Sequence, residues 1–553
     1  MEREKIIATL KNNPEVDVLI IGAGINGAGV FRDLALNGIR TLIIDRADIC
    51  SGTSATSSHM AHGGIRYLEN GEFRLVREAV AERNRMIENS PHLVQPLPTV
   101  IPIFKIWSGL LNAPLKFLNL LDKPSERGAL VIKIGLILYD SFTWKQKTVP
   151  KHKFFSKKEV LSRYPYINQK AKFAALYFDG QLLSPERMTV EIILDGEKAG
   201  DHAMALNYAS FAYVNEEGVK IKDEETEDMI SVKPKIIINA AGPWIDIVNK
   251  NAGLDTKYIG GTKGSHLVIK NDELRKAVGV SEYFFENKDG RIVLCLPFHD
   301  KVIIGTSDLP IENPDDARCT PEEELYFIDL VSRVFPTIKI TRDQIVFRFS
   351  GVRPLEYMHA KTTGQITRDH SIKEDNASGF PIISLVGGKW TSFRAFSEQV
   401  ADSVLQEFKK GRKVSTKDLP LRGGKDFPIT DDAKKLYIER IAAQYRLSLS
   451  YANELLTRYG TYAENIAVFL KEIHGKEMKS IENWNTGELI YIMKNEKPLH
   501  LEDIFLRRSS IAWLGNATDA VIDEFADIMA NEYNWNDTKK KEEIARVKRI
   551  LIQ

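Results

Sequence analysis

The chain has 553 residues, 43% hydrophobic and 27% charged, with a formal net charge of +1. That length exceeds what one core supports, so two or three domains are expected. The near-neutral charge offers no electrostatic basis for wholesale nucleic-acid binding. Cys50, Cys295 and Cys319 lie far apart and form no CxxC pair. This suits a reducing compartment and argues against both a disulfide framework and a zinc site. The first residues, Met1-Glu2-Arg3-Glu4-Lys5, carry acids and lead into no long apolar region, so no secretory signal is expected. The apolar run at 129–139 contains Lys133 and is too short to cross a bilayer.

In chain order, residues 16–21 are an apolar strand candidate. Gly22-Ala23-Gly24-Ile25-Asn26-Gly27 follows, then a helix pattern to Asn37, then Thr41–Ile44 ending on Asp45 and Arg46. This is strand, glycine turn, helix, strand, acid. Gly22 suits the tight turn, Gly24 lets backbone N–H groups approach a pyrophosphate, and Gly27 lets the helix pack on the strand. The helix N-terminus, with Ile25 and Asn26, turns its positive end to the phosphates. Asp45 is placed to accept from ribose hydroxyls and would repel the extra phosphate of NADP. An ordinary βα glycine turn is the plain alternative.

Residues 51–58, SGTSATSS, are small and hydroxylated. Thr53, Ser54, Ser57 and Ser58 could lie along a cofactor, or the segment could be a plain loop. It runs into His59-Met60-Ala61-His62-Gly63-Gly64-Ile65-Arg66-Tyr67-Leu68-Glu69. Prolines punctuate an irregular stretch from 101 to 175. Pro185 opens a helix pattern to about Lys198, and Asn215–Gly218 reads as the turn of a strand pair. Residues 236–244, IIINAAGPW, return to the cofactor domain through Ala241, Gly242 and Trp244. Residues 257–345 alternate short β-rich runs and predict an antiparallel substrate domain. Residues 346–412 return to the cofactor, ending in a helix candidate at 392–408. After 419–424, LPLRGG, the i, i+3, i+4 apolar spacing of residues 425–553 predicts a separate helical domain.

The series GAGINGAG, SGTSATSS, HGGIRYLE and EFRLVREAVAER, the last at 72–83, resembles the FAD-dependent glycerol-3-phosphate dehydrogenases. These belong to the glycine-oxidase-like flavoprotein superfamily. Further landmarks keep the family's order: KGSH at 263–266, IIGTSD at 303–308, SGVRPL at 350–355, ITRD at 366–369, GGKWT at 387–391 and LTRYGT at 456–461. The resemblance implies an α/β fold (α+β overall). A Rossmann-like FAD-binding domain (1–100, 176–256, 346–412) would be interleaved with an antiparallel-sheet substrate domain (101–175, 257–345), with a C-terminal all-helical domain at 413–553.

It implies FAD as cofactor, oxidation of sn-glycerol 3-phosphate to dihydroxyacetone phosphate, and a quinone as electron acceptor. Such a substrate needs fixed positive charge for its phosphate and a proton acceptor beside its C2 hydroxyl. Arg66, Arg353, Arg368 and Lys389 are the cations the resemblance points into the pocket, and Tyr67 and Thr391 could add hydroxyl donors. Tyr67 could equally be core, and Thr391 a helix cap. His266 is the leading base. Arg353 beside the hydroxyl is its competitor, lowering the alcohol's pKa. His62 would lie against the flavin or link to it covalently. Gly305, Gly351, Gly387 and Gly388 would let backbone approach the isoalloxazine and ribityl chain, or serve turns alone. Trp244 would sit by the adenine half or in the core.

Three readings compete with a quinone-linked dehydrogenase: an oxidase returning electrons to oxygen, an amine or 2-hydroxy-acid oxidoreductase, and a non-catalytic flavin-binding module. Four candidate cations argue for phosphate over carboxylate substrates, and the His and Arg set argues against a pure binder. Two departures stand out. His59-Met60-Ala61 replaces the more usual Lys or Arg followed by Leu-Ile, and the apolar, lysine-bearing stretch 107–128 is either a packed lid or a membrane-contact element. A cytoplasmic protein is expected, peripheral on the inner face of the cell membrane if that stretch docks. A homodimer surface, a membrane platform and a structural cap are all open roles for the helical domain.

Overall fold

The computed structural model describes residues 2–65, 68, 72–105, 128–142, 148–286, 292–357 and 369–552. Arg66, Tyr67 and Arg368, and the stretch from Trp107 to residue 127, lie outside these. Two sheets organise the chain. The first runs in the order Ser371–Ala377, Phe380–Val386, Met229–Asn239, Glu15–Ile21, Thr41–Ile44, Ala203–Leu206. The four pairings from Phe380–Val386 to Ala203–Leu206 are parallel, and Ser371–Ala377 is antiparallel to its neighbour. Such strands are covered on both faces, which is why they read as unbroken Ile, Leu and Val runs. The helices Ile25–Leu36, Pro185–Glu197 and Phe393–Glu407 close one face. Ser184 caps the second of these, accepting from Arg187 N ahead of Pro185 at the first position. The expected turn at Asn215–Gly218 joins two antiparallel strands.

The second sheet is mostly antiparallel and carries Thr262–Ile269 between Lys301–Gly305 and Ile345–Arg353. One face packs on Asp272–Val278 and Pro321–Val334. The other packs on the C-terminal helices.

Strand pairing redraws the division expected from sequence. Val94–Ile103, Phe173–Leu182 and Ile345–Arg353 all belong to the second sheet. The expected boundaries split the first two strands and put most of the third with the cofactor. Alternating apolar residues identify a strand but not its neighbour. Pro96, Pro98 and Pro102 sit inside Val94–Ile103 because they occupy alternate positions, so their missing N–H groups fall on one edge.

The C-terminal domain is helical, from Asp431–Tyr445 to Asp537–Ile552. It is tied to the first sheet by buried charge. Arg507 Nε and Arg508 Nη1 each lie 2.7 Å from Asp48 Oδ2. His500 bridges Glu225 and Glu543 at 2.8 Å each. Breaking one partner of a buried pair costs about 3–5 kcal/mol, because the other charge is left uncompensated.

Candidate active site

The glycine turn is built as the spacing requires. Gly22 has φ +105°, and a Cβ there would lie 2.6 Å from the Ala240 carbonyl oxygen, in the turn that carries Ala241 and Gly242. Gly27 is closer still, its Cβ position 1.9 Å from Gly22 O. Gly24 stands at the helix N-cap, and Ser54 Oγ accepts from Ile25 N at 2.9 Å. Asp45 accepts from Ala23 N at 2.7 Å and Ala47 N at 3.0 Å. Its burial outweighs these bonds and raises its carboxyl to about 6. Arg46 lies 4.6 Å over the Trp244 ring, and both reach Asp315, at 2.5 and 2.9 Å. Trp244 is therefore a rim residue held against Gly52, not core.

The hydroxyl-rich loop fastens this turn to the second sheet. Thr53 Oγ1 donates to Val352 O at 2.7 Å, and Ser57 Oγ accepts from His59 N at 3.3 Å. Ser58 Oγ meets His266 Nε2 at 2.8 Å. Asn26 Nδ2 donates to Gly387 O at 3.2 Å, while its Oδ1 is buried with no hydrogen-bond partner.

Several site candidates turn toward protein neighbours. Gly63 N donates to Tyr139 Oη and Asp179 Oδ1, beside the buried Arg83. Gly64 has φ +72°. Thr391 Oγ1 donates to the His62 carbonyl at 3.0 Å, so it neither caps the helix nor keeps that proton for a substrate. The Cβ space at Gly351 is filled by Thr56 Oγ1 at 2.0 Å, at Gly388 by Asn26 Nδ2 at 2.5 Å, and at Gly305 by His266 Cδ2 at 2.1 Å. At these three positions the missing side chain admits this chain's own groups.

His266 and Arg353 share one face of adjacent strands. The imidazole is buried, stacks on Phe349 at 4.7 Å and 6°, and leaves Nδ1 without a partner. Burial first, then the Arg353 guanidinium and His59, push its pKa well below the usual imidazole value, so it is neutral. Arg353 is held by Asp308 Oδ1 at 3.1 Å, Thr306 Oγ1 at 3.0 Å and Ser307 O at 3.1 Å. Lys389 Nζ is withdrawn from solvent on the turn after the Phe380–Val386 strand. Ser58, Thr306 and Asp308 stand in the site without having been singled out by type or spacing as catalytic. The IIGTSD motif at 303–308 was the available signal.

The chain matches the family described as FAD dependent oxidoreductase over residues 17–393, and the C-terminal domain of alpha-glycerophosphate oxidase over 414–540. It is 32% identical over 539 residues to a glycerol-3-phosphate dehydrogenase of Synechocystis sp., covering 92% of each chain. The chain belongs to the FAD-dependent glycerol-3-phosphate dehydrogenase family. An aerobic glycerol-3-phosphate dehydrogenase of Staphylococcus aureus is 29% identical over 554 residues, 96% of this chain and 93% of that one. The fold is shared with the glycerol-3-phosphate dehydrogenase of Bacillus halodurans complexed with FAD, at a TM-score of 0.75 and 24% identity, over 99% of this chain and 97% of that chain. FAD is the family's cofactor, and the residues present fit it. The Gly22 turn, the first helical turn with the unpartnered Asn26 Oδ1, and Asp45 form a cradle with donors and an acceptor in dinucleotide order.

Proposed function

We propose that the protein oxidises sn-glycerol 3-phosphate at its C2 hydroxyl to dihydroxyacetone phosphate and delivers the electrons to a quinone. The observation that carries this reading is the pairing, on one sheet face, of a fixed guanidinium with a neutral buried imidazole. FAD, when bound, supplies the hydride acceptor. Arg353 is oriented in advance by Asp308, Thr306 and Ser307, so gripping a phosphate or a developing alkoxide costs little side-chain freedom. By family resemblance Arg66, Arg368 and Lys389 complete the anion site. In the His266 tautomer protonated at Nε2, which this reading assigns, Ser58 accepts that proton and the Nδ1 lone pair is left to take the hydroxyl proton. Arg353 lowers the basicity of that imidazole, and a bound phosphate dianion offsets the same charge. Substrate binding thus raises the base's strength when it is needed.

A quinone acceptor brings a membrane with it. No helix among the described residues is long and apolar enough to cross one. The Ala129–Ser141 helix supports contact from one side. Leu130, Ile134, Ile137 and Leu138 are exposed along one stripe that also holds Lys133, a pattern suited to the interface of an anionic leaflet. Co-flotation with anionic vesicles that is lost on Ile134→Ser/Ile137→Ser is the expected result. Flotation unchanged by that double substitution would remove this helix from the membrane contact.

The activity is tested with FAD-loaded protein, glycerol 3-phosphate and a soluble quinone analogue. Dihydroxyacetone phosphate should appear one-to-one with reduced quinone, and glycerol should be inert. Product matched by peroxide, with the quinone untouched, would make the protein an oxidase. A faster amine or 2-hydroxy acid would overturn the substrate.

A further inference from the structure

Residues two apart on a strand share a face, so Thr262, Gly264, His266 and Val268 line up beside Arg353, Gly351, Phe349 and Phe347. One end of this face is bare: Gly264 and Gly351 leave room for Arg353 and for Thr56 of the cofactor loop. The other end is bulky. Val268, Phe347 and Phe349 enter one apolar cluster with Trp484, Phe505, Trp513 and Phe525 of the C-terminal domain. His266 stands at the boundary between the two.

What holds the imidazole there is traceable outward. Its Cδ2 edge lies over Gly305 and its Nε2 reaches Ser58. One ring face is stacked on Phe349. The Phe349 ring is met edge-on by Trp513, 4.9 Å away at 69°, and Trp513 also lies 4.9 Å from Phe347. Trp513 comes from the turn that follows Arg508, and its indole N–H donates to Leu506 O at 2.9 Å, which fixes the ring. Gly515, at φ +69°, lets this turn lie directly on the strand; a Cβ there would be 2.8 Å from Val346 Cβ. His59 closes the box, 5.2 Å from Phe298, 5.5 Å from Trp513 and 6.2 Å from Phe349. Its Nδ1 meets the Leu182 carbonyl at 3.2 Å, and its Nε2 has no partner. A charged Lys or Arg in this box would need a counter-ion, and none of its aromatic walls supplies one.

We propose that Trp513 is a positioning residue: through Phe349, the C-terminal domain sets the ring plane of His266 and keeps water from its buried face. The inference rests on the reading of His266 as proton acceptor. The second side-chain torsion of histidine is broad, so contact with the ring face decides its orientation. That orientation decides whether the Nδ1 lone pair lines up with the substrate O–H. The helical domain is then the rear wall of the site.

The test uses FAD-loaded full-length protein with glycerol 3-phosphate and a soluble quinone analogue. Trp513→Ala should lower kcat about tenfold while KM changes less than twofold. The acid limb of kcat should move up toward the ordinary imidazole value as water reaches the ring. Trp513→Phe should restore most of both. Phe349→Leu, which keeps apolar volume and removes the stacked ring, should reproduce the kcat loss and the pH shift, and it carries the test if the alanine variant does not fold. In a His266→Asn background, itself expected to lose at least 10²-fold, Trp513→Ala should add nothing. Folded Trp513→Ala and Phe349→Leu proteins with parental kcat and an unmoved acid limb would overturn the proposal, as would an equal kcat loss from Trp513→Ala with and without His266. Parental kcat in His266→Asn alone would instead refute the proton-acceptor reading, and the positioning role with it.

Discussion

Gly305→Ala probes the placement of His266 with a single methyl group. The added Cβ would fall 2.1 Å from His266 Cδ2 and 2.8 Å from both Cγ and Nε2. Ordinary carbon–carbon contact begins near ~3.5 Å, so the ring must retreat by about 1.4 Å. Its retreat is blocked, because Phe349 is stacked on one face and Ser58 holds Nε2. A misplacement of about 1 Å costs on the order of 10²-fold in rate, equivalent to about 2.7 kcal/mol in the barrier. Expected is a kcat with glycerol 3-phosphate about 10²-fold below the parent, normalised per bound FAD. FAD content should stay near parental, since the methyl points at His266 and not into the Gly22 turn, while the overpacked ring lowers the melting temperature without unfolding the protein. A folded, FAD-loaded Gly305→Ala protein with kcat within about threefold of the parent would refute this placement of the imidazole.

Arg353→Ala should lower kcat/KM by about 10²–10³-fold while flavin content is kept; lost flavin with intact turnover per FAD would take Arg353 out of the substrate site. The acid limb of kcat/KM should lie below the ordinary imidazole range. His266 is depressed in the free protein and loses its lone pair only below its own pKa; a limb centred near ~6.5 would contradict this. Asp45→Ala should release FAD by about tenfold or more in Kd, read by flavin fluorescence on dilution; parental retention would show that Asp45 serves only its two backbone donors. His500 is lowered by burial but raised more by Glu225 and Glu543, to about 9, while Glu543 is held down at about 2. Its stabilisation of the C-terminal docking is therefore complete below the unfolded imidazole value and is lost as pH rises through about 9. Parental melting temperature should fall from pH 6 to pH 9 by more than that of His500→Gln; parallel curves would dismiss the triad as an anchor.

Much of the cofactor half was legible because it is local. The Gly22 turn, the helix behind it and Asp45 follow from steric and hydrogen-bonding needs within about 25 residues, a span that sequence spacing can encode. The rest is long-range. Nothing in residues 94–103 says that their partner is 173–182, and nothing in SGVRPL says that its strand lies against KGSH. The glycines at 305, 351 and 388 read as openings toward a cofactor, but each admits a side chain from a distant segment. His59, where the family more usually has Lys or Arg, stands in a box whose walls are Phe298, Phe349 and Trp513, the last more than 450 residues away, which no local spacing could reveal.

The central claim, that this FAD-bearing site oxidises glycerol 3-phosphate, is tested most directly by mixing the FAD-loaded protein with that substrate in the absence of oxygen. The yellow flavin absorbance should bleach, with one dihydroxyacetone phosphate formed per FAD. A flavin that stays oxidised at millimolar glycerol 3-phosphate would contradict that claim.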